Sequence, residues 1–470
     1  MTEVEPGVEI DEEVFEPGES HGTVIRLSLT AALGGFLFGY DSSVINGAVA
    51  AITAHFSASA AVLGFTVSSA LLGAAAGALG SGRMADRYGR LPAMRVAAVL
   101  FLIGAVGSGL ASSLVMLVVF RVIGGVAVGI ASVIAPTYIA EIAPARIRGR
   151  LGSLQQLAIV TGIFLALLVD YALATAAGGA QSNLALGLPA WRWMFMAMVV
   201  PALLYGGLAF TIPESPRYLV AKSRLEEASR VLRRVLGDID LGAKVTQIKE
   251  TLQREGRPSM RDLRGPRFGL LPIVWVGIGL SVFQQFVGIN VIFYYSTVLW
   301  QAAGFSASNS LLITVITGAV NIVTTLVAIA SIDRFGRKPL LIIGSVGMAV
   351  TLGALAVVFG TATLKGGEPV LTGVAKPVAL LAANLFVFAF GMSWGRWSGC
   401  CWESRSRTRS VPPRCRWPPA RSGSPTGWFP PASRRSRTPA LGSPTASTPP
   451  LRCCPYCSSC ASSVRQRAWR

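Results

Sequence analysis

"GRMADRYGR", residues 82–90, closes the second long apolar run of the chain, and "DRFGR", residues 333–337, closes the eighth. One such pentapeptide could arise by chance. Two at matching positions are the mark of a chain built from two related halves. The arginines alone would suit any positively charged loop beside a membrane. That reading leaves the Asp and the Gly at fixed offsets unexplained. A tight Gly turn carrying an Asp–Arg pair can lock neighbouring helix ends and release them when two bundles rock.

Outward from this repeat, apolar runs recur at 27–49, 61–82, 93–112, 114–136, 154–174, 191–212, 269–299, 309–331, 339–361 and 377–395. Each approaches the roughly 20 residues an α-helix needs to cross a hydrocarbon core. Several have no polar face, unlike the surface helices of soluble domains. The fold class is an all-α polytopic membrane protein. Positive charge clusters at Arg83, Arg87 and Arg90, at Arg146, Arg148 and Arg150, and at Arg334, Arg337 and Lys338. The opposite turns, "AHFSASAA", "LASS" and "GFSASNS", are nearly uncharged. The positive side faces the cytoplasm, so the amino terminus is expected there. Residues 1–22 are acidic without a basic n-region, a solvated leader rather than a signal peptide. A charged stretch, 214–267, reads as a helical cytoplasmic linker between a six-helix bundle at 23–213 and a second bundle at 268–395, which holds helices 7–9 and most of 10.

Six motifs, "GRMADRYGR", "RVIGG" (121–125), "AEIAPARIRGR" (140–150), "PESPRYL" (213–219), "QQFVGINVIFYY" (284–295) and "DRFGRK" (333–338), carry a family resemblance. The chain resembles the sugar porter branch of the major facilitator superfamily over residues 24–395, with likeness both to bacterial xylose–proton symporters and to human glucose facilitators. The resemblance implies the major facilitator fold, two pseudo-symmetric helix bundles working by alternating access in the plasma membrane. It implies a monosaccharide or polyol substrate, with a proton as coupling ion. An uncoupled sugar or polyol carrier, a non-transporting sugar sensor and a truncated inactive product are the alternatives.

Asp41, in "FGYDSSVINGA", is a carboxylate within an apolar run, and such groups face a cavity and find a partner. Arg121, in the fourth run, is the obvious one. The pair is either a static ion pair or a proton-loading switch; the resemblance to proton-coupled members, which carry Asp here where facilitators carry Asn, implies the switch. One departure is Met198, where xylose symporters have an acid on helix 6. Amides both donate and accept, which suits sugar hydroxyls, although lone intramembrane amides also serve as interhelical glue. Gln284, Gln285, Asn290 and Tyr294 share the seventh run. By resemblance Gln156, Gln284, Gln285, Asn290 and Asn321 contact sugar, and Phe38 and Phe390 line the site. Ile163 matches the facilitators rather than xylose symporters, which have Gln there.

Gating falls to Gly82, Asp86, Arg87, Gly89 and Arg90, to Glu141, Arg146, Arg148, Glu214 and Arg217, and to the second copy, Asp333, Arg334, Gly336 and Arg337. Single surface ion pairs are worth little; a network of them can bias the inside-closed state. No phosphate loop, nucleophile triad or metal-ligand cluster stands out, so neither an enzyme, an ATP-driven pump nor a cofactor is expected.

The character of the chain changes after Gly395. All seven cysteines, 12 of the 27 prolines and 14 of the 42 basic residues lie in 396–470, with one acid, Glu403. The 28 basic and 22 acidic residues before it leave +6 of the formal +19. The high charge thus belongs to the tail and does not argue for a nucleic-acid partner. When the third base of each codon is read with the first two of the next, residues 395–415 can spell PVV(W/G)VLLGESFPNAIRAAAL. That is a membrane helix followed by E-x-x-P-x-x-I-R, the pattern of Glu141, Pro144, Ile147 and Arg148. A single-base slip near codons 395–396 is the expectation, leaving the carboxy-terminal bundle incomplete and the tail unable to form a core. The runner-up is a genuine disordered arm for anionic partners.

Overall fold

The computed structural model describes residues 20–144, 147–236, 241–255, 269, 272–335, 337–365, 368–371 and 373–395. Arg146, Gly336, most of the acidic leader and the whole of 396–470 lie outside them, as do the side chains of Asp333, Arg334 and Arg337.

The amino-terminal half comprises α1 (Ser20–Ser43), α2 (Ile45–Phe56), α3 (Ala60–Tyr88), α4 (Arg90–Gly109), α5 (Leu114–Ile142), α6 (Arg148–Ala177), α7 (Ala190–Ala197) and α8 (Val199–Leu208). The linker forms α9 (Pro216–Ala221), α10 (Leu225–Leu236) and α11 (Leu241–Glu255). The carboxy-terminal half holds α12 (Pro272–Phe286), α13 (Ile289–Ala302), α14 (Ala307–Phe335), α15 (Arg337–Gly360) and α16 (Ala375–Ser393). Among the described residues ten helical spans are long and apolar enough to cross a membrane. They coincide with the ten apolar runs, and the protein is a multi-pass helical membrane protein.

Three spans are interrupted: the first at Val44, the sixth at Met198 and the seventh at Val287–Gly288. Gly288 has φ +92°, a left-handed conformation that breaks the ladder at low steric cost. Two short antiparallel hairpins, β1 (Asn183–Ala185) with β2 (Leu188–Pro189) and β3 (Thr363–Lys365) with β4 (Glu368–Val370), join spans five to six and nine to ten. Hydropathy does not foresee them. The first turns through Leu186 (φ +53°) and Gly187 (φ +69°), the positive-φ pair that a tight hairpin requires.

Small residues set the packing of the first half. Backbones of α1 and α6 approach so closely that a Cβ on Gly39 or Gly162 would strike the Ile159 or Phe36 carbonyl of the facing helix. Trp191, Tyr40, Tyr138, Tyr205, Phe101 and Phe195 are fully enclosed in one continuous core. In the linker, α10 carries Glu226 and Glu227 in its first turn and Arg233 and Arg234 in its last, charges complementary to the helix dipole. Its Ala228 packs with Leu219 and Val220. The second half has two smaller clusters instead, one around Trp300 and Ala383 and one around Phe293 and Phe386. There α12 shows much of its circumference, with Phe283 69% and Phe286 84% exposed.

Candidate functional site

Asp41 and Arg121 meet inside the first bundle. Arg121 Nη1 lies 3.2 Å from Asp41 Oδ1 and 2.9 Å from the Asp41 carbonyl oxygen, and both residues are buried. That carbonyl is the acceptor an uninterrupted helix would offer to Ile45, and α1 does end at Ser43. Asp41 Oδ2 and Arg121 Nε have no hydrogen-bond partner among the described residues. The guanidinium sits 5.9 Å from the Phe195 ring centroid. Beside the pair, the Ser42 hydroxyl donates to the Phe38 carbonyl at 2.8 Å, and Tyr294 of α13 comes close to it, so the second bundle reaches the residue next to the acid.

The amide positions fall into two groups. Gln285 accepts from Asn290 Nδ2 at 2.8 Å across the Gly288 break, on a face left exposed. Gln284 donates to the Trp394 carbonyl at 2.9 Å, tying α12 to the end of α16. Asn321 is buried on α14, with its Oδ1 facing Gly391. Phe390, Tyr294 and Ile163 pack on one apolar cluster, bringing the two halves together. Phe38 lies against the first-half core. Gln156 is half-buried on α6, whereas its neighbour Gln155 turns inward against Gly35 of α1.

The "DRYGR" turn is built around Arg90 and Glu214. Arg90 forks onto Glu141 at 2.9 and 2.7 Å from Nε and Nη2, and its Nη1 donates to the Ala85 carbonyl at 3.1 Å. Glu214 accepts the amides of Arg90 (3.0 Å), Leu91 (3.1 Å) and Ser215 (2.9 Å), a carboxylate on the amino terminus of α4. Gly89, at φ +105°, is where any Cβ would collide with Glu214. Asp86 stands 3.8 Å from Arg90 and is mostly exposed. The Tyr218 hydroxyl donates to the Arg87 carbonyl, and Arg87 lies over Tyr88. Arg148 reaches the Ala143 carbonyl. Arg217 lies in the first turn of α9, and space is open around Gly82. Glu141, Arg90 and Glu214 thus form a network that ties the start of the linker to the first bundle.

Comparison with known proteins resolves what this arrangement belongs to. The family described as "Sugar (and other) transporter" matches residues 27–404. The chain belongs to that sugar transporter family. The glucose transport protein of Synechocystis is 58% identical over 373 residues, 79% of this chain and 80% of that protein. The D-xylose-proton symporter of Escherichia coli is 39% identical over 405 residues, 81% of this chain and 78% of its own. The E. coli xylose transporter in a partially occluded inward open conformation superposes with TM-score 0.69 at 36% identity, covering 82% of this chain and 88% of that one. The fold is that of the major facilitator superfamily, and the protein is a sugar transporter, not an enzyme.

Two features of this sugar transporter escape motif reading. Asn46 donates from Nδ2 to the Phe293 carbonyl and to Ser296 Oγ, each at 2.8 Å, and its Oδ1 accepts from Thr297 N at 3.2 Å and from the Thr297 hydroxyl. It latches α2 to α13 far from the "DRYGR" turn. Near it Gly318 of α14 meets Phe164 and Leu167 of α6. The halves therefore close on the side opposite the motif. The second feature is Asp170, a fully buried acid on α6. The signal for each was a polar residue within an apolar run, but nothing in a single sequence says which of many such residues find partners.

Proposed function

We propose that the chain encodes a proton-coupled monosaccharide carrier of the plasma membrane, with its amino terminus and the "DRYGR" turn cytoplasmic. The observation that carries this reading is the enclosed Asp41–Arg121 pair, with one carboxylate oxygen left over and Tyr294 of the second bundle close to the adjacent Ser42. A proton on Asp41 cancels the attraction to the guanidinium, leaving Arg121 on the Asp41 carbonyl alone. The helix junction at Val44 can then relax, and the Ser42–Tyr294 contact relaxes with it. Protonation is thereby linked to the meeting of the bundles. Identity to a glucose transport protein and the apolar Ile163 favour a hexose as substrate over xylose. Gln156, Gln284, Gln285, Asn290 and Asn321 supply the hydroxyl contacts, Phe38 and Phe390 the apolar walls, and the Arg90–Glu141–Glu214 network the inner gate.

This reading takes residues 1–22 as a leader, 23–213 as the first bundle, 214–267 as the linker and 268–395 as an incomplete second bundle. Residues 396–470 are an out-of-frame product, and the intact carrier is the frame-restored protein. Its test is uptake of labelled glucose into proteoliposomes under an inward proton gradient. Restored protein should accumulate sugar, while Asp41→Asn should lose accumulation and keep downhill exchange, because the amide hydrogen-bonds but cannot titrate. Undiminished accumulation in Asp41→Asn would sink the coupling role.

A further inference from the structure

Asp170 is 0% exposed, and neither carboxylate oxygen has a geometrically sound hydrogen bond among the described residues. A Cβ on Gly47 would stand 2.8 Å from its Oδ2, so the carboxyl rests on the first turn of α2, where the Gly47 backbone offers only a weak contact. From α1 it faces Tyr40, whose hydroxyl is likewise unpartnered. Among the described residues no cation offsets it: Arg121 of α5 is engaged by Asp41, and Arg192 of α7 turns to the Gly109 carbonyl. From α14, Gly318 meets Phe164 and Leu167 of α6. An ionised carboxyl in such an enclosure is costly, and the neutral acid is the form that fits.

Gly47 adjoins Asn46, the residue that latches α2 to α13. We propose that Asp170 is a second proton-binding site of the carrier, loaded while the Asn46 latch is closed and unloaded when it opens. With α2 freed, water and the first-turn amides of Ile45–Gly47 reach the carboxylate and favour its charged form. The O–H bond breaks and the proton passes to that water. The proposal deepens the proton-coupled reading, and its test needs no transport, so the two can fail separately.

The test is infrared spectroscopy of the full purified chain in lipid nanodiscs at neutral pH. The wild type should show the C=O stretch of an un-ionised carboxylic acid, shifted in D₂O. The band should vanish in Asp170→Asn, survive in Asp41→Asn and weaken in Asn46→Ala. If Asp170→Asn does not fold, Asp170→Glu should move the frequency instead. The proposal is overturned by a wild type without the band, by a band that the Asp170 variants leave unchanged, or by one that Asp41→Asn removes. Equal intensity in Asn46→Ala would show a static structural proton and overturn it as well.

Discussion

Replacing Gly89 by Ala should be among the most damaging single-methyl changes in this chain, and the cost has two separable parts. Gly89 sits at φ +105°, ψ 172°, a region essentially reserved for glycine, and a side chain held there costs about 1–3 kcal/mol. The added Cβ also collides with Glu214, with its Cδ at 3.0 Å, and drives the carboxylate off the amides of Arg90 and Leu91. Hydrogen bonds to a charged group contribute about 1.5–3 kcal/mol each. Together the two parts come to about 4–9 kcal/mol, and partial exposure of Glu214 favours the low end. Glu214→Ala removes the cap but not the backbone strain. In Gly89→Ala/Glu214→Ala the cap can be lost only once, so the double variant should be less destabilised than the sum by about 3 kcal/mol, the low-end value of two such bonds. The measurement is chemical unfolding of the four proteins in detergent, read by tryptophan fluorescence. Strictly additive losses would refute the claim that Gly89 is required to make room for Glu214.

Gln285→Ala should weaken sugar binding more than Asn321→Ala, by about 1–3 kcal/mol for one lost hydroxyl contact; calorimetry on folded, frame-restored protein checks it, and an unchanged dissociation constant for Gln285→Ala refutes the placement. Asn46→Ala should shift the carrier away from its outer-closed state, raising thiol labelling of Leu311→Cys, a second-half position buried against the first-half core; unchanged labelling counts against the latch. The chain as written should not take up sugar, whereas a one-base frame correction near codon 395 should restore uptake.

Ten spans, two halves and the place of the "DRYGR" turn between the second and third spans were legible in sequence, because a bilayer forces each crossing into about 20 apolar residues. Asp41 and Arg121 were legible as partners for the same reason: charges in lipid must meet. Partner choice among neutral polar groups was not. Gln284 turns to a backbone carbonyl, Gln285 to its near neighbour Asn290, and Asn46 reaches across to α13 of the other half, although each is simply an amide in an apolar run. Glu214 gives no hint that it caps α4 across 123 residues of chain. Asp170 reads like Asp41 on paper, yet one has a guanidinium and the other no hydrogen-bond partner among the described residues. Hydropathy is local and additive, so it survives in the linear order. Hydrogen-bond partnership depends on which helix faces arrive opposite one another, and only the packed bundles decide that.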